Sequence, residues 1–211
     1  MNIFEKIADG VEKGDAPTVG TLTEQALAED ITAVDILNQG LVKGMNVISE
    51  LFKNNEIFIP EVLLAARAMK AGMAHIKPIL VESDVQPKGK IVIGTVKGDL
   101  HDIGKNIVAM LLEGAGYQII DLGADVPNEK FIEATLENQA DIIGMSTLLT
   151  TTMVHIKDII QTVRADNFQA KVKVIIGGAS VSQSFADSIQ ADGYAPDAST
   201  VVSMVDKLLT E

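Results

Sequence analysis

Residues 91–106 read Ile91-Val92-Ile93-Gly94-Thr95-Val96-Lys97-Gly98-Asp99-Leu100-His101-Asp102-Ile103-Gly104-Lys105-Asn106. A short apolar, β-branched run gives way to a polar, glycine-bearing loop and then to a helical pattern over about 102–113. That is a strand followed by a helix. The same unit recurs downstream. Strand-like runs lie at 91–96, 118–122, 141–145 and 172–176, with a short fifth near 193–195. Helical patterns fall at about 128–138, 152–166, 182–190 and 199–209. Apolar strands alternating with helices predict a parallel sheet covered on both faces.

Upstream the period changes. Apolar residues recur at helical spacing in Ile3, Ile7, Val11; in Val19, Leu22, Ala26; in Ile36, Leu37, Leu41, Met45, Ile48, Leu51; and in Val62, Leu63, Ala66, Met69, Met73. Breaks fall at Gly14-Asp15, Glu29-Asp30 and Asn54-Asn55, and Pro60 suits the first turn of the fourth helix. The expected organisation is a four-helix bundle over 1–82, a polar Pro- and Gly-containing linker over 83–90, and an α/β domain over 91–211. For the α/β domain the expected fold is a flavodoxin-like, doubly wound, five-stranded sheet of order 2-1-3-4-5. The chain shows no internal repeat and no low-complexity tract.

Composition narrows the chemistry. The 211 residues carry 29 Asp and Glu against 17 Lys and Arg, a formal charge of −12, which disfavours nucleic acid and anionic membranes as partners. Cysteine is absent, which excludes disulfides, zinc–thiolate sites, iron–sulfur clusters and cysteine nucleophiles. No basic, apolar leader opens the sequence and no apolar run has the length of a membrane helix, so the expected location is the cytoplasm. Neither a Walker lysine motif nor GxGxxG occurs, so nucleotide binding has no support.

In an open parallel sheet, ligands sit beyond the carboxyl ends of the strands, at the switch point between strands 1 and 3. The loops that matter are therefore 97–104, 146–152 and 177–182. In the first, a His two residues after an Asp can ligate a metal while its second ring nitrogen donates to that carboxylate, and cobalt accepts imidazole readily. The same residues also suit an ordinary βα turn, with Asp102 as helix N-cap and Gly104 permitting close packing. The second loop, Ser146 to Met153, is rich in hydroxyls and almost uncharged. It fits a neutral heteroaromatic ring or, equally, the capping of the next helix. In the third, Gly177-Gly178 allows close backbone approach to a flat ligand, or simply forms a turn. His75 and His155 lie on helices outside these loops and read as surface or boundary residues.

Together the three loops resemble the cobalamin-binding family of methionine synthase and the small corrinoid proteins of methyltransferase systems. That family carries D-x-H-x-x-G, S-x-L and G-G after strands 1, 3 and 4. Here these are Asp99-Leu100-His101-Asp102-Ile103-Gly104, Ser146-Thr147-Leu148 and Gly177-Gly178. The helical half is similar too, in Asn38…Gly44-Met45-Asn46-Val47…Leu51-Phe52 and Phe58-Ile59-Pro60-Glu61-Val62, which look like the family's helical cap.

The resemblance implies a cofactor and roles for matching positions. The cofactor is cobalamin, cycling between methylcob(III)alamin and cob(I)alamin. His101 would be the lower cobalt ligand in the base-off, His-on state, with Asp99 on its other nitrogen. Thr152 stands where the family often has a Ser that completes a His–Asp–Ser relay. Ser146, Leu148 and Thr150 would line the slot for the nucleotide tail, beside Gly177 and Gly178, with Ala198 adding a backbone contact. Gly98 and Leu100 would also contact the cofactor. Asp102 and Gly104 would border the corrin, and Asn38, Phe52, Ile59 and Val62 its upper side.

The implied function is a methyl carrier, not catalytic alone. It would accept methyl from a substrate-specific methyltransferase and deliver it to a second methyltransferase acting on tetrahydrofolate or a thiol, with a corrinoid-reactivating protein as a further partner. The cap would move aside about the linker. Other readings are a cobalamin-dependent regulator, disfavoured by the acidic charge; an adenosylcobalamin mutase subunit, which would lack the helical cap; and a receiver-type domain, disfavoured because strand 3 ends in Ser146. The methyl donor is not encoded in these motifs.

Overall fold

The computed structural model describes residues 1–82, 86–165 and 172–210. The chain forms two compact units: Met1–Gln86 with Gly114–Gly116, and Pro87–Glu113 with Tyr117–Glu211.

The first unit is the helical bundle. Helix α1 (Ile3–Glu12) opens with a capping box in which Asn2 and Glu5 each accept the other's backbone N–H. Helix α2 (Ala16–Ala28) is capped by Asp15, which accepts the Thr18 N–H. The third helix is composite: α3 (Ala33–Asp35), a π-helical segment (Ile36–Leu41) and α4 (Val42–Lys53) run on without a break. Helical periodicity does not reveal the π segment, because one inserted residue shifts the stripe too little to see. Helix α5 (Ile59–Glu82) continues through Pro78, longer than the apolar pattern up to Met73 suggests. Ile7, Val11, Val19, Ala26, Ile36, Leu41 and Ile76 have no exposed surface and form the bundle's interior. Gly44 lets α4 lie tight against α1, since a Cβ there would come within 2.7 Å of the Ala8 carbonyl.

The second unit is the expected α/β sheet. Its strands are β1 (Lys90–Thr95), β2 (Gln118–Asp121), β3 (Ile142–Ser146), β4 (Lys173–Gly177) and β5 (Gly193–Ala195), all parallel, in the order β2-β1-β3-β4-β5. Helices α6 (Ile103–Gly114), α7 (Asn128–Asn138), α8 (Met153–Val163), α9 (Gln183–Ser188) and α10 (Val201–Thr210) connect and cover them. Of the linker expected over 83–90, residues 83–85 lie outside the described ones, and 86–89 carry no helix or strand. Residue 166, at the end of the helix expected over 152–166, also lies outside them.

The central strands are apolar on both faces because both are covered. Val92, Ile143, Met145, Val174 and Ile176 face Phe131 of α7 and Ile156, Ile159 and Ile160 of α8 in one buried cluster. On the opposite face Ile93, Gly144 and Ile175 border a cleft with Val108 of α6 and Val201 of α10. The register matters most for the site. It aligns Thr95 with Ser146, Ser146 with Gly177 and Gly177 with Ala195. The carboxyl ends of four strands therefore stop in one row, and the three loops that follow β1, β3 and β4 rise side by side.

Candidate functional site

The loop after β1 is organised by one buried carboxylate. Asp99 has no exposed surface. Its Oδ1 lies 2.7 Å from His101 Nδ1 and accepts the His101 backbone N–H at 3.0 Å. Its Oδ2 accepts the Leu148 N–H at 2.6 Å, the Leu149 N–H at 3.2 Å and the Thr147 hydroxyl at 3.0 Å. Burial alone would push the Asp99 pKa up. The hydrogen bonds from His101, Leu148 and Thr147 outweigh it and hold the carboxyl well below the usual carboxylate range. An ionised Asp99 in turn favours the tautomer with the proton on Nδ1, which leaves the Nε2 lone pair of His101 free. The His101 side chain is 54% exposed, so a fixed, half-open imidazole stands on a buried anion.

The hydroxyl beside Asp99 belongs to Thr147, not to Thr152. Thr152 lies one step further back, 2.6 Å from the Thr147 hydroxyl, and donates to the Leu149 carbonyl at 2.9 Å. Thr147 is fully buried and Thr152 nearly so. The chain of contacts is thus His101, Asp99, Thr147, Thr152. Thr147 occupies the unspecified position of the Ser146–Leu148 motif, so the motif alone does not mark it. The signal available was register: as the first residue past β3, it sits at the strand's carboxyl end.

Large apolar side chains are exposed around the imidazole. Leu100 and Ile103 are each 75% exposed, and Leu148 and Leu149 about 40%. Ile103 and Leu149 carried no assignment from sequence. Asp102 directly precedes α6, and its carbonyl receives the Asn106 N–H. Thr150 is exposed in a short 3-10 turn that leads into α8.

Beside this loop an apolar cleft of about 230 Å³ lies between the sheet ends, α6 and α10. Gly104, Ser146, Gly177, Gly178 and Ala198, all singled out from sequence, line it. So do Lys105 and Asp197, which were not. Gly178 and Gly104 differ in what the missing side chain permits. Gly178 has φ +118°, and a Cβ there would come within 1.9 Å of the Thr147 carbonyl oxygen, so the close approach it permits is to the neighbouring loop. Gly104 has nothing within 4 Å of where its Cβ would be, so its missing side chain leaves open space, not a tighter helix–sheet contact.

His75 is exposed on α5; His155 is part-buried on α8, and its Nδ1 is buried without a partner. Neither lines the cleft. In the bundle, Asn38 is exposed on the π segment and lines a polar hollow with Asn2, Glu5 and Lys43. Phe52 is part-buried, Ile59 is 43% exposed and Val62 is buried. Among the described residues no helix is long and apolar enough to cross a membrane.

Comparison with known proteins agrees with this layout. A family model described as a B12 binding domain matches residues 89–203, and a second of the same description matches residues 3–77. A corrinoid protein of Desulfitobacterium hafniense (strain Y51) is 42% identical over 99% of this chain and 98% of its own length. The dimethylamine corrinoid protein of Methanosarcina barkeri is 40% identical over 98% and 97%. Among solved structures, the methanol:cobalamin methyltransferase complex of Methanosarcina barkeri superposes with a TM-score of 0.87 at 29% identity, covering 99% of this chain and 80% of that one. The chain therefore belongs to the B12-binding family, as a cobalamin-binding corrinoid protein of methyltransferase systems.

Proposed function

We propose that this chain holds cobalamin with the cofactor's own base displaced and His101 Nε2 as the lower cobalt ligand. In that state it carries methyl groups from a donor-specific methyltransferase to a second methyltransferase acting on tetrahydrofolate or a thiol. The observation that carries the reading is the His101–Asp99 pair: one nitrogen pinned at 2.7 Å to a buried carboxylate, the other left for a ligand.

The donor set fits the group. Among the described residues no cluster of three or more His, Asp or Glu could hold a bare metal ion. A single imidazole is sufficient when a macrocycle already supplies the metal's equatorial ligands. The exposed Leu100, Ile103, Leu148 and Leu149 suit a flat, largely apolar ring, and the adjoining apolar cleft suits a displaced nucleotide tail. Ser146, Gly177, Gly178 and Ala198 all line that cleft. Asn38, Phe52 and Ile59 in the bundle belong to the same proposal as contacts to the cofactor's upper side, whereas Val62 has no exposed surface and instead packs inside the bundle.

When bound, cobalamin supplies the nucleophilic, methyl-carrying centre. The protein's own residues do the rest. Asp99 fixes the tautomer and direction of His101. Thr147 and the Leu148 and Leu149 amides hold Asp99 as an anion. The names of similar proteins span dimethylamine, trimethylamine and methanol systems. This supports a carrier whose donor is chosen by its partner methyltransferase.

The test is spectroscopic. Purified protein reconstituted with cobalamin should show a base-off, His-coordinated spectrum, and His101→Ala should abolish the histidine signature. An identical spectrum in the variant would overturn the ligand assignment. Methyl transfer from dimethylamine, trimethylamine and methanol with added partner enzymes then separates the donors.

A further inference from the structure

A fourth loop, between β2 and α7, carries no motif of the site, yet it grips the His101 loop from both ends. It reads Asp121-Leu122-Gly123-Ala124-Asp125-Val126-Pro127. Asp125 sits in left-handed backbone at φ 55°, a conformation that a non-glycine residue holds at a cost. There its Oδ1 accepts the Gly98 N–H at 2.7 Å, while its own N–H donates to the Asp99 carbonyl at 2.9 Å. One residue thus spans the Gly98–Asp99 peptide with two opposed hydrogen bonds.

On the other side of His101, Asp121 binds the buried Lys105 through both carboxylate oxygens at 2.6 Å, and its Oδ1 also takes the Gly123 N–H. The loop itself is braced. Thr95 donates to the Gly123 carbonyl and Val126 donates to the Thr95 carbonyl, and Val96 bridges to Val126 past the end of the sheet.

We propose that Asp125 is a positioning residue for His101. It presets the Gly98–Asp99 peptide, so that Asp99 and the imidazole stand in ligating geometry before any cofactor arrives, with the Asp121–Lys105 pair as the opposite fixed end. The inference rests on His101 being the cobalt ligand, and it predicts that coordination and affinity depend on a side chain that touches neither metal nor ring. Such supporting contacts are worth roughly 10–100-fold in metal affinity.

Three substitutions separate its two features. Asp125→Gly keeps the left-handed backbone and loses the acceptor. Asp125→Ala loses both. Asp125→Asn keeps both, since Asn tolerates this conformation and its Oδ1 accepts. The probe is cobinamide, which lacks the nucleotide base, reduced to Co(II); any nitrogen hyperfine splitting in its electron paramagnetic resonance spectrum then comes from protein histidine. Asp125→Gly and Asp125→Ala should weaken cobinamide binding about 10-fold and lower the histidine-coordinated fraction at saturation, while Asp125→Asn stays close to the unsubstituted protein.

Thermal melts of the cofactor-free variants accompany the spectra. Lowered melting temperatures with an unchanged histidine-coordinated fraction would show a merely structural role and overturn the inference. Wild-type affinity and splitting in Asp125→Gly would overturn it as well. Absence of nitrogen splitting in the unsubstituted protein would instead overturn the ligand reading on which it rests.

Discussion

The two ends of the parallel sheet use the same residue type in opposite ways. At the amino ends of the strands, carboxylates close the structure. Asp141 accepts the Lys90 N–H at 2.8 Å, Asp192 accepts the Val174 N–H and pairs with Arg164, and Asp206 takes the Tyr117 hydroxyl. Lys88 lies near Asp206 and over the Tyr117 ring, joining the segment before β1 to α10. At the carboxyl ends, Asp99 and Asp125 collect backbone N–H groups so that an imidazole can stand half-exposed beside an open apolar cleft. The first end spends its carboxylates on shutting the sheet. The second uses them to keep a reactive geometry open. Hydrogen bonds of similar length therefore do different work, set by whether the group they orient faces protein or ligand.

If that contrast is right, substitutions at the two ends should separate binding from stability. The largest effect is expected at Asp99. Asp99→Ala strands the Leu148 and Leu149 amides and the Thr147 hydroxyl. Cobalamin affinity should fall by about 10–100-fold, and cofactor-free stability by about 1–3 kcal/mol, read by titration and by denaturant melts. Next is Asp192→Ala at the amino end, which removes the partner of Arg164 and of the Val174 N–H. It should cost about 1–3 kcal/mol in the same melts and leave cobalamin affinity unchanged. A matching loss of affinity would dissolve the contrast.

Third is the cleft. Val108→Phe should partly fill it and weaken cobalamin by about 10-fold, the size of a 1–3 kcal/mol overpacking cost. Cobinamide, which has no tail, should keep its affinity. Fourth is pH. Because Asp99 is held below its ordinary value, its contribution to stability is complete above the unfolded carboxylate pKa of about 4 and is lost as the pH falls below that. Cofactor-free Asp99→Asn should show a flatter acid limb in pH-dependent melts. The smallest effect is expected from Tyr117→Phe, which removes the bond to Asp206 and should cost about 1 kcal/mol with no change in binding.

Much of this architecture is legible in the chain. The switch from helical to strand-like period near residue 90 predicts the bundle and the sheet, and unbroken apolar runs such as Ile91–Ile93 and Val174–Ile176 predict burial on both faces. Strand order and the switch-point crevice follow from parallel topology. His101 with Asp99, and Gly177 with Gly178, are legible because unusual residue types stand just after strands. What could not be read is contact across long sequence separations. Thr147 meets Asp99 from 48 positions away, and Asp125 meets Gly98 from 27. Neither has a residue type that stands out in its own segment. The π segment at 36–41 was hidden for a different reason, since it displaces the apolar stripe without erasing it.

Periodicity and local composition thus settle which segments become helices or strands, which faces are buried, and that a His–Asp pair lies on a switch-point loop, because these depend on near neighbours in the chain. Only the folded structure decides which hydroxyl stands behind Asp99, why Gly178 must be glycine, and that a left-handed aspartate on a motif-free loop brackets Gly98 and Asp99. Those depend on the register that brings Thr95, Ser146, Gly177 and Ala195 into one row. Backbone hydrogen bonding across the sheet sets that register, and no single segment carries it.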